Sequence, residues 1–201
     1  MPTLPPAPYW DTTPLAAGEA AEPLACRWLA GRLGCAPGEV LITRSAHGRP
    51  MLQSPPGFDC NWSHSGGLLA FALARGMRVG IDIECLRPRP KALELARRHF
   101  TVAEAAWLAG RDGDARTRDF VRLWCAKEAV LKAHGRGLAF GLARLAFGED
   151  KGRLQLVECD PDLGAPDRWQ LLELQLSPGY LGMLAWLPSP AAAPARHTAR
   201  P

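Results

Sequence analysis

The fold of this chain is constrained most by two segments about forty residues apart, Val79-Gly-Ile-Asp-Ile-Glu84 and Trp124-Cys-Ala-Lys-Glu-Ala-Val-Leu-Lys-Ala-His-Gly-Arg-Gly137. The first is apolar and β-branched. Strand period 2 puts Asp82 and Glu84 on one face and Ile81 and Ile83 on the other. The second consists of good helix formers, so Glu128 and Lys132, four apart, share a helix face, and Gly135 and Gly137 end the helix. Two aligned carboxylates invite a hard cation, and a third carboxylate arrives beside a phosphate-seeking lysine.

Each piece alone has a commoner explanation, a solvated strand edge or a helix-surface ion pair. Their conjunction with Asn61-Trp-Ser-His-Ser-Gly-Gly67 lowers that explanation's weight. We read this segment as a glycine-rich turn before the apolar strand Leu68–Leu73. Backbone N–H groups, serine hydroxyls and an imidazole in such a turn can hold an anion.

Five motifs in register, Gly48-Arg-Pro50, Asn61-Trp-Ser-His-Ser65, Gly80-Ile-Asp-Ile-Glu84, Phe100 with Glu104, and Trp124-x-x-Lys-Glu-Ala-x-x-Lys-x-x-Gly-x-Gly-Leu138, resemble the 4′-phosphopantetheinyl transferases of the surfactin-synthetase-activating type. The length suits the monomeric, two-lobed members. The resemblance implies two similar α+β lobes in pseudo-twofold arrangement and transfer of phosphopantetheine from coenzyme A to a serine of an apo acyl or peptidyl carrier protein. It also implies that Ser63 and His64 hold coenzyme A phosphates, and that Arg49 sits near the 3′-phosphate.

Composition is ordinary for a globular chain of 201 residues, 47% hydrophobic and 22% charged. A net charge of +4 does not demand nucleic acid, and it suits an acidic protein or a phosphorylated ligand. The six cysteines contain no Cys-x-x-Cys pair and the opening does not resemble a secretory signal, so we expect reduced thiols in the cytoplasm. No apolar run is long enough to span a membrane.

Residues 2–14 read as extended, and Leu15 to Leu33 as helix interrupted at Pro23 and closed by Gly34. Val40–Arg44 and Leu68–Leu73 read as strands. A strand over Val79–Glu84 and a helix through Leu93, Ala96 and Phe100 follow. Thr101 with Glu104 makes a capping box for another helix to about Leu108. Phe120–His134 is the long helix, and Leu154–Val157, Trp169–Leu176 and Met183–Leu187 are strands. The expected organisation is α+β throughout: an N-terminal lobe over 1–76, a C-terminal lobe over 77–188 with the metal site at the lobe interface, and a disordered tail over 189–201.

Mg²⁺, with Mn²⁺ as a substitute, prefers oxygen ligands and keeps several waters, which fits Asp82, Glu84 and Glu128 as ligands, Asp82 also facing coenzyme A. Lys132 reaches the same pyrophosphate as a point charge. The serine proton has three candidate acceptors, Glu128, Glu104 and a metal-bound water, and the capping role already accounts for Glu104. Trp124 reads as a packing anchor. Lys127 is either solvated or a coenzyme A contact, ranked below Lys132. The N-terminal helical region lacks the family's usual basic residues, and Arg27, Arg32 or Arg44 are the candidate substitutes. Arg97, Arg98, Arg111, Arg116, Arg118 and Arg122 form a basic region that either steers an acidic carrier or is a solvated face. The rival reading is a module that binds Mg-nucleotide or coenzyme A without transfer.

Overall fold

The computed structural model describes residues 7–188; the expected tail over 189–201 lies outside them. The first half of the chain is β1 (Tyr9–Pro14), α1 (Ala21–Leu33), β2 (Leu41–Arg44), β3 (Pro50–Ser54), β4 (Phe58–Ser65) and β5 (Leu68–Arg75). The second half is β6 (Met77–Cys85), α2 (Ala92–His99), α3 (Val102–Ala109), α4 (Gly113–His134), β7 (Leu145–Asp150), β8 (Arg153–Cys159), β9 (Gln170–Glu173) and β10 (Tyr180–Pro188). Each half holds a three-stranded sheet, ordered β1-β5-β4 and β6-β10-β9, and a two-stranded hairpin, β2-β3 and β7-β8. All these pairings are antiparallel, and the class is α+β.

β5 is apolar on both faces because both are covered. Leu69 and Phe71 pack against Ala25 and Trp28 of α1, where Trp28 and Phe71 stack with ring centroids 5.2 Å apart. Leu68, Ala70, Ala72 and Ala74 pack against Val79, Ile81 and Ile83 of β6. The opposite face of β6 meets α4 through Gly80: a Cβ there would lie 2.1 Å from Ala129 O and 2.5 Å from Ala133 N. Only glycine permits that approach. The buried face of α4 joins a large core in which Phe100 and Phe120 stack at 5.3 Å and Trp124 leans on both.

Several boundaries differ from expectation. The segment read as a turn from Asn61 is strand β4, with only Gly66 and Gly67 turning, both at positive φ. Part of the extended opening is β1, and α1 starts at Ala21, so Pro23 falls in its first turn, where no intrahelical N–H is lost. α4 begins seven residues earlier than the apolar pattern predicts, at Gly113.

The two halves meet where the edge strands β4 and β6 run side by side without joining one sheet. Side chains replace the backbone ladder. Asp59 Oδ2, Asn61 Oδ1, Ser63 Oγ and Ser65 Oγ accept the backbone N–H groups of Val79 (2.8 Å), Ile81 (3.0 Å), Ile83 (3.4 Å) and Cys85 (3.1 Å). Every second residue of β4 thus satisfies every second N–H of β6.

Candidate active site

The even-numbered residues of β6 face α4, and the serines of β4 face β6, so three elements converge at Asp82. Its Oδ1 accepts hydrogen bonds from Lys132 Nζ (2.6 Å) and Ser63 Oγ (2.8 Å), while Lys132 also donates to Ser63 Oγ (2.9 Å) and Ile81 O (3.3 Å). Oδ2 of Asp82 is buried without a partner. Glu84 accepts from Ser65 Oγ and from Arg89 Nη2, each at 2.9 Å. Glu128 is 8% exposed. Burial first, then repulsion from Asp82 and Glu84 against the attraction of Lys132, pushes its carboxyl up to about 7.

Among the described residues, no three His, Cys, Asp or Glu side chains are arranged to hold a metal ion by themselves. Mg²⁺ does not need such a cage, since it binds one or two carboxylates and completes its shell with water and substrate phosphate. An orphaned buried carboxylate oxygen and a glutamate raised partly by its acidic neighbours fit a cation at this point.

Two cavities flank the cluster along α4. One, of about 200 Å³, lies at the helix C-terminus and is walled by Arg44, His47, Trp62 and Lys132. The Arg44 guanidinium lies 5.0 Å over the Trp62 ring, so this cavity offers both cationic charge and an aromatic face. The other, of about 240 Å³, opens on the N-terminal half of α4 beside Leu86, Cys125 and Tyr180. Trp62 and His47 escaped the sequence reading; the alternation through Asn61-Trp-Ser was the available signal, once β4 is taken as a strand.

Three expected site residues, His64, Arg49 and Glu104, do not join the Asp82 cluster, and neither does Lys127. His64 is exposed, because strand parity turns it away from Ser63 and β6. Arg49 is 6% exposed and all five of its N–H groups are engaged within the protein, none of them turned towards the phosphate that the resemblance implies. Glu104 completes the Thr101 capping box, pairs with Lys127 Nζ at 2.8 Å and accepts the Phe147 N–H at 2.9 Å. At 3% exposure it has no access to a substrate proton. Lys127 is neither solvated nor at the cleft: fully buried, it donates to Leu142 O and Leu145 O and sits 5.0 Å over the Phe100 ring. Burial lowers its pKa, while Glu104 works in the opposite sense.

Of the basic region, Arg111, Arg116 and Arg122 are internally committed. Arg122 bonds Glu149 (2.8 Å) and Glu173 (2.6 Å), and Arg111 and Arg116 pair with Asp119 and Asp112. Arg97, Arg98 and Arg118 stay exposed. No helix among the described residues is long and apolar enough to cross a membrane.

Residues 78–180, just over half of the chain, match the family model described as ACPS, the 4′-phosphopantetheinyl transferase superfamily. The chain is 34% identical to the 4′-phosphopantetheinyl transferase HetI of Nostoc over 73% of its length and 60% of that protein's. It is also 34% identical to the 4′-phosphopantetheinyl transferase Sfp of Bacillus subtilis over 71% of its length and 61% of that protein's. It therefore spans about three-fifths of the length of these relatives. The holo-[acyl-carrier-protein] synthase of Thermotoga maritima overlays with a TM-score of 0.46 at 23% identity, over 56% of this chain and 63% of that one.

Proposed function

The chain belongs to the 4′-phosphopantetheinyl transferase superfamily, and from that premise we propose that it transfers 4′-phosphopantetheine from coenzyme A to a serine of an apo acyl or peptidyl carrier protein, releasing adenosine 3′,5′-bisphosphate. The observation that carries this reading is the junction of Lys132, Asp82 and Ser63 beside Glu84 and Glu128, where α4 and one strand from each half meet.

Of Asp82, Glu84 and Glu128, one or two at a time would hold Mg²⁺, or Mn²⁺ in its stead, with water and substrate phosphate completing the shell. Bound there, the cation neutralises charge on the pyrophosphate oxygens. Lys132, whose three N–H groups are held by Asp82, Ser63 and Ile81 O, turns one of them to the same phosphates, and its ammonium strengthens its hold as charge develops on the departing adenosine bisphosphate. The serine oxygen forms the new P–O bond as the bond to the bisphosphate breaks. With Glu104 sealed, Glu128 is the protein carboxylate left to take the serine proton. The Trp62 cavity is suited to the adenine and the Leu86 cavity to the pantetheine arm. Arg97, Arg98 and Arg118 supply the charge to steer an acidic carrier, and we read the enzyme as a cytoplasmic monomer.

The test is to incubate an apo-carrier with the protein, coenzyme A and Mg²⁺ and to weigh the carrier by mass spectrometry. A gain of the phosphopantetheinyl mass on serine is expected. Coenzyme A binding without that gain refutes the transferase in favour of a binding module.

A further inference from the structure

Arg49 uses every donor it has on the protein. Nε donates to Lys132 O (2.7 Å), Nη1 to Pro50 O (3.1 Å) and Asp59 Oδ1 (2.8 Å), and Nη2 to Asp59 Oδ2 (2.5 Å) and Val79 O (3.0 Å). These partners lie on β3, β4, β6 and α4. Asp59 also accepts the Val79 N–H, the first contact of the β4–β6 junction. Lys132 O is one of the last four carbonyls of α4, which have no partner within the helix. A guanidinium from the other half of the chain fills that vacancy and complements the negative end of the helix dipole. Gly135, at φ +99°, leaves room for it: a Cβ there would stand 3.0 Å from Arg49 Cδ.

We propose that Arg49 is a positioning residue that fixes Lys132 by its backbone carbonyl, rather than a group that touches coenzyme A. The inference rests on the transferase reading. To reach a phosphate, the guanidinium would have to abandon a largely buried carboxylate and a helix-end carbonyl, leaving both unpaired. Held in place, it sets the height of the last turn of α4 against β6, and that height decides whether Lys132 Nζ meets Asp82 and Ser63.

Arg49→Lys separates the two roles. A lysine still delivers a point charge to a phosphate but cannot fork across a carboxylate and two carbonyls. Asp59→Asn weakens the same fork without touching Arg49. Both variants are expected to lose roughly 10- to 100-fold in kcat at a temperature where circular dichroism reports a folded protein. The KM for coenzyme A should hold within about threefold, and the preference for coenzyme A over dephospho-coenzyme A should not change. Near-normal kcat in either variant overturns the proposal, as does a preference for the 3′-phosphate that collapses in Arg49→Lys alone. Amide hydrogen exchange supplies a readout that does not need activity: protection of Val79 and of the last turn of α4 should fall in both variants. Should the wild-type protein modify no carrier, the transferase reading fails, and unchanged protection would then overturn the positioning role of Arg49 on its own.

Discussion

In metal-free protein, Glu128→Gln should raise thermal stability, an unusual direction for a change at an active site. Glu128 is pushed from its ordinary 4.5 to about 7 by burial and by Asp82 and Glu84. Between those values the folded state binds a proton that the unfolded state has released, so stability falls as pH rises through that window and is flat above it. A displacement of that size corresponds to about 3 kcal/mol. Relaxation of the carboxylate towards water leaves ~1–2 kcal/mol as the working figure. Glutamine keeps the shape and never ionises. At pH 8 in chelator, the variant should therefore melt ~2–8 °C above the wild type, given ~2–4 °C per kcal/mol for a chain of this size. At pH 5 the two should nearly coincide. Mg²⁺ should then raise the wild-type melting temperature and leave the variant's almost unmoved. Scanning calorimetry across pH decides the matter: a variant no more stable than wild type at pH 8, or a difference indifferent to pH, would refute the crowding of three carboxylates at this point.

Gly80→Ala should cost ~2–4 kcal/mol and abolish transfer together, because its methyl would meet the backbone of α4; melting curves and carrier modification measure the two losses. Asp82→Asn should cut turnover at least ~100-fold, because it removes a cation ligand and weakens the anchor of Lys132. Its melting temperature should stay within a few degrees of wild type, since Lys132 is partly exposed and can turn to water. Glu104→Gln should lower stability by ~3 kcal/mol by stranding buried Lys127, while the acidic limb of the pH–rate profile keeps its midpoint; a shifted limb would return Glu104 to the chemistry.

What the sequence made legible follows from local periodicity. The shared face of Asp82 and Glu84, the shared face of Glu128 and Lys132, the Thr101–Glu104 cap and the stop at Gly135 each depend on residues within a few positions of one another. The resemblance assigns Arg49 to a phosphate, and Lys127 reads as solvated or as a coenzyme A contact because charged side chains are expected at the surface; only partners outside their local segments, Asp59 with Val79 and Glu104 with Leu145, make their burial tolerable. β4 was misread for a related reason. Its Asp59, Asn61, Ser63 and Ser65 look like turn chemistry because strand faces are expected to be apolar, whereas this face meets the bare N–H groups of another strand.

An exposed strand edge is an invitation to recruit another chain, and proteins usually blunt it with charge, proline or a bulge. β6 is protected differently. Asp59, Asn61, Ser63 and Ser65 supply acceptors spaced like those of a neighbouring strand, but a row of side chains offers no second ladder for a further strand to copy. Sheet growth therefore terminates at the boundary between the halves. Cut at Gly76, the second half would present β6 as a bare template with Val79, Ile81 and Ile83 uncovered beside it, and such a fragment should self-associate until the first half is added back.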